Sequence, residues 1–204
     1  MCFFTQQTKT AKAVENRFKA FIQYPEMFES SQRINGFSFP KTPVITNQNT
    51  ELIQHFQWGL IPNWAQDTTI QKYTLNAKIE TLHQKPSFKN LQNNRCLVIA
   101  DGFFEWQWLD EKGKKKQAYL ITLPNCELFA FAGIWSEWLH KNTGEIIYSY
   151  SIITTEANEF MAKIHNSKKR MPIILNKENE IDWLNQAPIA NFKSISLKLV
   201  AQTL

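Results

Sequence analysis

The sequence predicts a single α+β domain, a β-rich middle built from antiparallel hairpins and flanked by helices. Between residues 95 and 155 four apolar runs, RCLVIADGFFEWQWL, QAYLITL, LFAFAGIWSEWL and IIYSYSIITT, are rich in the β-branched and aromatic residues that suit strands. Between such runs, DEKGKKK and HKNTGE place glycine among polar residues, the pattern of hairpin turns. Outside this middle, apolar residues recur at helical spacing toward both ends of the chain. With 204 residues, 43% of them hydrophobic and 13% aromatic, the chain can bury one sizeable core and is too apolar to be disordered.

The elements follow in order. Residues 9–22, KTAKAVENRFKAFI, set Ala11, Val14, Phe18 and Phe21 on one helical face, so an amphipathic helix is expected. From Tyr24 to Lys41 the text is irregular and contains Gly36 and Pro40, which predicts a loop feeding a short strand at VIT, just past Pro43. In ELIQHFQWGLIP the residues Leu52, Phe56 and Trp58 favour a strand. After the four central runs, TEANEFMAKIH returns to helical spacing through Ala157, Phe160, Met161 and Ile164. A strand at RMPIIL and a helix around KENEIDWLNQ close the domain, which spans 1–204 without a repeat or linker.

Composition narrows the function classes. Lys and Arg total 23 against 18 Asp and Glu, a net charge of +5 that modestly favours a polyanionic partner. The basic run KGKKK is expected to be a solvated hairpin tip rather than a binding site. The 3 cysteines show no paired spacing and no CxxC, which argues against a disulfide framework; Cys96 is expected to be a buried structural thiol and Cys126 to lie at a turn. No apolar stretch approaches the roughly 20 residues of a membrane helix, and no basic-then-apolar leader is present. A cytoplasmic protein is expected.

Cys2 stands directly behind the initiator methionine. Loss of Met1 would leave an α-amine with a pKa of about 7.7–8.0 and a thiol of about 8.5 on adjacent carbons, both partly nucleophilic near neutral pH. An aldehyde meeting that pair forms an imine with the amine, and the sulfur then closes on the imine carbon to give a five-membered thiazolidine. An internal cysteine has no α-amine and cannot form that ring. Such chemistry needs proton donors and acceptors. Glu105, in the apolar stretch ADGFFEW, is an acid/base candidate whose burial would raise its pKa; Asp101 in the same stretch fits turn chemistry. His165 ends a predicted helix and opens the basic loop HNSKKR, a setting suited to a phosphate-bearing substrate. Asn76 and Lys78, two residues apart, share a face if extended and can hold a sugar or carbonyl oxygen and a phosphate. Trp58 and Trp64 flank a proline turn, and an exposed Trp beside cations would stack an unpaired base. No His, Cys or acidic pair has metal-ligand spacing, so neither metal nor cofactor is expected.

Taken in order, MC, FP before PVI, WGLIPNW, NAKIET, RCLVIADGFFEW, FAGIW and IHNSKKRMPIIL resemble the SOS response-associated peptidase (SRAP) family of abasic-site processing proteins. The resemblance implies a barrel-like antiparallel core flanked by peripheral helices and a basic cleft for single-stranded DNA. It implies that processed Cys2 captures the ring-opened aldehyde of an abasic site as a thiazolidine crosslink, a lyase- or peptidase-like activity. By position, Cys2 is the nucleophile, Glu105 moves protons, His165 assists ring opening and crosslink reversal, and Asn76 holds the N-terminal or sugar end. Lys78 and Arg170 would contact phosphates, with Pro40 and Trp64 shaping the path of the bases. The chain departs from the family pattern in MCFF for MCGR, in NAK for NAR, and in a longer loop after His165. That loop leaves the phosphate contact open among Lys168, Lys169 and Arg170. A monomer, bound to the nucleoid when on DNA, is the expected form. Two other readings remain: a cysteine peptidase using Cys2, His165 and Glu105, including self-removal of Met1, and a non-covalent reader of damaged or modified DNA.

Overall fold

The computed structural model of the chain describes residues 2–193 and 197–204. In chain order these form β1 (Phe4–Gln7), α1 (Ala11–Phe18), β2 (Phe21–Ile22), β3 (Ser31–Asn35), β4 (Lys41–Thr46), β5 (Asn49–Trp58), β6 (Asn76–Lys78) and β7 (Arg95–Ala100). They continue through β8 (Gly102–Trp108), β9 (Lys116–Thr122), β10 (Phe129–Leu139), β11 (Ile146–Glu156), α2 (Glu159–Ile164), β12 (Arg170–Pro172), β13 (Ile174–Leu175), α3 (Lys177–Leu184) and β14 (Val200–Thr203).

Five strands close into a barrel in the order β5, β4, β7, β10, β11, with antiparallel pairing until β11 meets β5 in parallel at Ser149–Gln57 and Tyr150–Trp58. The closing contact is short, and β2 and β6 pair further along the same edges of β5 and β11. Because side chains alternate across a strand, each barrel strand feeds two apolar environments. One set, Val44, Phe56, Trp58, Val98, Phe131, Trp135 and Tyr150, points inward. Contacts between strands that are not neighbours establish this: the rings of Phe56 and Trp135 lie 5.7 Å apart, and the Thr42 and Tyr150 hydroxyls 2.7 Å apart. The alternate set, including Ile45, Ile53, Leu97, Ala132 and Ile153, points outward and is covered by Val14 of α1, Trp183 of α3 and Phe192. Trp183 Nε1 donates to the carbonyls of Cys96 and Gly133, fastening α3 to the barrel wall.

A second sheet, ordered β14-β9-β8-β1-β3, is antiparallel throughout. Its residues Phe103 and Ile121 join the barrel's inner cluster, and so does Cys2, which leads into β1. The protein is therefore a β-rich single α+β unit with a closed five-stranded barrel and peripheral helices. Among the described residues no helix is long and apolar enough to cross a membrane.

Three local expectations are corrected. The helix expected over 9–22 stops at Phe18, because Lys19 takes a left-handed conformation (φ 56°) and its N–H caps the helix on Glu15 O. Phe21 consequently falls in β2, paired with β5 and largely exposed rather than on the helix face. The irregular stretch from Tyr24 to Lys41 contains β3, a polar edge strand whose partner β1 supplies the order that its own SQRIN sequence does not signal. RMPIIL forms two short strands on different partners, β12 on β11 and β13 on β10.

Barrel packing is tight at Gly133, where a Cβ would lie 2.7 Å from Cys96 Sγ and 2.9 Å from Val98 Cγ2. Gly133→Ala is expected to lower unfolding stability by about 1–3 kcal/mol through overpacking, read as a lower urea midpoint at unchanged slope.

Candidate functional site

The N-terminal segment is a strand held on both sides. Phe4, Thr5 and Gln6 of β1 pair with Phe104, Phe103 and Gly102 of β8, and Phe4 and Thr5 pair with Asn35 and Ile34 of β3. Asp101 accepts hydrogen bonds from the N–H and the hydroxyl of Thr8, so this buried carboxylate fastens the end of the strand rather than facing the site. Phe3 and Phe4 are only partly buried; Phe3 packs on Phe37 and Phe4 on Trp106, with ring centroids 4.8 and 5.3 Å apart. The residue that enters the core is Cys2 itself, with no exposed surface. Its carbonyl accepts a 2.8 Å hydrogen bond from Asn76 Nδ2. Asn76 begins β6, aligned parallel to β11.

Glu105 lies on β8 and is 3% exposed; His165 caps the C-terminus of α2 and is 6% exposed. His165 Nε2 faces Glu105 Oε2 at 3.9 Å. The other ring nitrogen is held by the backbone of Arg170, whose carbonyl oxygen lies 2.8 Å and whose N–H lies 3.1 Å from Nδ1. Nδ1 thus finds an acceptor when protonated and a donor when not, so either neutral tautomer is supported.

One physical cause dominates the protonation of all three groups: burial penalises charge. It pushes the Glu105 carboxyl up to about 7. It pushes the Cys2 thiol well up, and the nearby Glu105 carboxylate adds to that rise. It pulls the His165 imidazole down to about 4, assisted by the N-terminal amine and, more weakly, by Lys168 and Arg170. Near neutral pH the site therefore holds a thiol, a neutral imidazole and a carboxyl that is close to half protonated.

Beside this centre runs a groove of about 580 Å³ lined by Tyr73, Asn76, Lys78, Lys85, Pro86 and Phe88, among others. Trp64 is half exposed at its rim, where Nε1 donates to Pro86 O. Tyr73 is 75% exposed and carries Lys72 Nζ 5.1 Å over its ring. Lys78, Lys168 and Lys169 are exposed, whereas Arg170 is buried with both ends of its guanidinium on Glu80, at 2.8 and 2.9 Å. Pro40 lines a different hollow with Asn35, Lys41 and His55. Trp58 is fully buried and donates to Leu75 O, a core residue.

The structure thus brings Cys2, Asn76, Glu105 and His165 to one place, with Lys78 and Trp64 along the adjoining groove. Sequence reasoning missed Tyr73, Lys72 and Lys85; the apposition of an aromatic and a lysine in QKY was the available signal.

The description "SOS response associated peptidase (SRAP)" matches residues 1–202. The chain belongs to that family. It is 44% identical over 143 residues to the abasic site processing protein YoqW of Bacillus subtilis, covering 70% of this chain and 61% of that one. It is 31% identical over 175 residues to the abasic site processing protein HMCES of Gallus gallus, covering 74% of this chain and 50% of the other. This SRAP chain thus spans between half and two thirds of the length of these relatives. Its fold matches a crystal structure of a Bacteroides thetaiotaomicron protein with a TM-score of 0.90 at 35% identity, over 100% of this chain and 92% of the other.

The Glu105 environment has a measurable consequence for this SRAP domain. A carboxyl whose folded-state pKa is raised keeps its proton longer than it does unfolded, so its contribution is fully present below the unfolded value and is lost as pH rises through the folded one. With values of about 4.5 and about 7, the loss falls between these pH values and reaches at most about 3 kcal/mol. Glu105→Gln is expected to gain stability relative to the parent protein as pH rises from 4.5 to 8 in denaturant titrations, with little difference below pH 4.5.

Proposed function

We propose that this protein processes abasic sites in single-stranded DNA by capturing the ring-opened sugar aldehyde on Cys2 after Met1 is removed. The single observation that carries this reading is the placement of a fully buried Cys2, held at its carbonyl by Asn76, in the field of a carboxyl that titrates near neutral pH.

The α-amine of Cys2 adds to the aldehyde carbon, and the resulting carbinolamine loses water to give an imine. The thiol sulfur then adds to the imine carbon while its proton passes to the nitrogen, which closes the thiazolidine with water as the only by-product. Glu105, near half protonated, serves both directions of proton traffic: it protonates the departing hydroxyl and accepts a proton from the amine or thiol. His165, neutral and supported in either tautomer, relays protons for opening the sugar ring. Because the thiol is held protonated by burial, the amine reacts first and sulfur follows on the activated imine.

The strand's path is the groove. Tyr73 and Trp64 offer aromatic faces for bases, each worth about 1–3 kcal/mol, and Lys78, Lys85, Lys168 and Lys169 offer cations for phosphates. Pro40 lines a separate hollow and would shape the bases there. The work takes place on the nucleoid in the cytoplasm, by a monomer without a metal or cofactor.

The peptidase reading is less well supported. A cysteine peptidase needs a thiolate and an imidazolium, and burial here opposes both charges.

Incubation of processed protein with a single-stranded oligonucleotide carrying one abasic site is expected to give a heat-stable adduct on a denaturing gel. Cys2→Ala and a form that retains Met1 should give none, and Glu105→Gln should slow adduct formation by about 100-fold or more while leaving DNA affinity intact. An adduct from Cys2→Ala would refute covalent capture through this residue, and binding without any adduct would leave only a non-covalent reader.

A further inference from the structure

Asn76, Lys78 and Glu80 alternate along one short segment, formed by β6 and the 3₁₀ turn Ile79–Thr81 that follows it. Asn76 holds the Cys2 carbonyl. Lys78 is exposed at the groove. Glu80 takes Arg170 in a two-point ion pair, Nη1 to Oε1 at 2.8 Å and Nη2 to Oε2 at 2.9 Å. The same Nη2 also donates to the carbonyl of Thr154 on β11 at 2.8 Å. The Arg170 side chain is 11% exposed, so its charge is spent inside the protein and is not offered to DNA. The Arg170 backbone, in turn, is what holds His165 Nδ1.

We propose that Glu80 is a positioning residue: by gripping Arg170 it fixes the backbone that aims the His165 imidazole at Glu105. One segment then sets both halves of the site, the Cys2 end through Asn76 and the histidine end through Glu80. Bidentate pairing suits this role, because a guanidinium held at two points and against a strand carbonyl cannot rotate. The six-residue turn from His165 to Arg170 contains Lys169 in a left-handed conformation (φ 48°), and its other internal tie is the Lys169 N–H to His165 O bond. Without Glu80, Arg170 would be a buried charge without a carboxylate, and it would leave the wall and take the loop with it.

Among the charged groups that face His165 are Glu105 from β8, the N-terminal amine, and Lys168 and Arg170 from the loop. Its exposure to water therefore depends on where the loop lies.

The effect on chemistry rests on the crosslinking reading above, and the test separates the two. Ring-nitrogen NMR of His165 in the full chain is expected to show titration near 4 in the parent protein and a rise toward the ordinary value of about 6.5 in Glu80→Ala. At saturating single-stranded abasic DNA the same variant should form adduct about 10- to 100-fold more slowly, with DNA affinity unchanged. Glu80→Gln, which keeps one hydrogen bond to Arg170, should fall between. If Glu80→Ala does not fold, Glu80→Ala with Arg170→Met removes the unpaired charge and is read by its adduct rate at saturating DNA, because loss of the Arg170 cation raises the His165 value by itself. A His165 titration that stays near 4, or a rate loss explained wholly by weaker DNA binding, overturns the proposal. A parent protein that makes no adduct refutes the crosslinking reading, while the titration still decides the role of Glu80.

Discussion

Burial of Cys2 is the constraint on which the rest of the structure depends. Chain termini usually fray, yet here β1 is paired on both edges and Cys2, which leads into it, is fully buried. That arrangement requires β3 as an outer strand, Asp101 to hold the far end of β1 at Thr8, and Asn76 to hold the near end at the Cys2 carbonyl. The second sheet can then lay Phe103, Ile121 and Cys2 against the barrel's inner cluster. Removing any of these ties would release the one residue whose position cannot be supplied from elsewhere.

The same burial organises the electrostatics. Desolvation raises the carboxyl and the thiol and lowers the imidazole, so the neutral form of each group is favoured in the site. Positive charge is instead placed outside, on the exposed Lys78 and Lys85 of the groove and on the exposed Lys168 and Lys169 of the loop after His165. Arg170, whose backbone holds the His165 ring, is offset by Glu80. A neutral interior within a cationic rim draws a polyanionic strand to the rim and leaves the interior free to move protons.

Much of this was legible in the sequence, and the illegible parts share a cause. The strands β7, β10 and β11 announced themselves because barrel closure makes them apolar on both faces, and β8 did so through its own apolar, aromatic run. Cys2, Asn76, Glu105 and His165 each stood out locally, through position or an unexpected polar group in apolar text. By contrast, β3 is polar and owes its order to β1, and β14 at the other edge of that sheet carries no local signal either. The end of α1 at Lys19 is a backbone event that VENRFKAFI does not display. The Glu80–Arg170 pair joins residues 90 positions apart, so Arg170 could only be read as a cation available to DNA. Tyr73 was passed over because a lone tyrosine in polar text gains meaning only once the groove beside Asn76 is known.

The central claim is that burial, and not direct pairing alone, sets the proton inventory beside Cys2. Its most direct test is the titration of the Glu105 side-chain carboxyl carbon by NMR in the folded protein. The account expects a midpoint near 7. A midpoint near the ordinary glutamate value of about 4.3 would contradict it, because the carboxylate would then be fully ionised at neutral pH and unable to donate a proton.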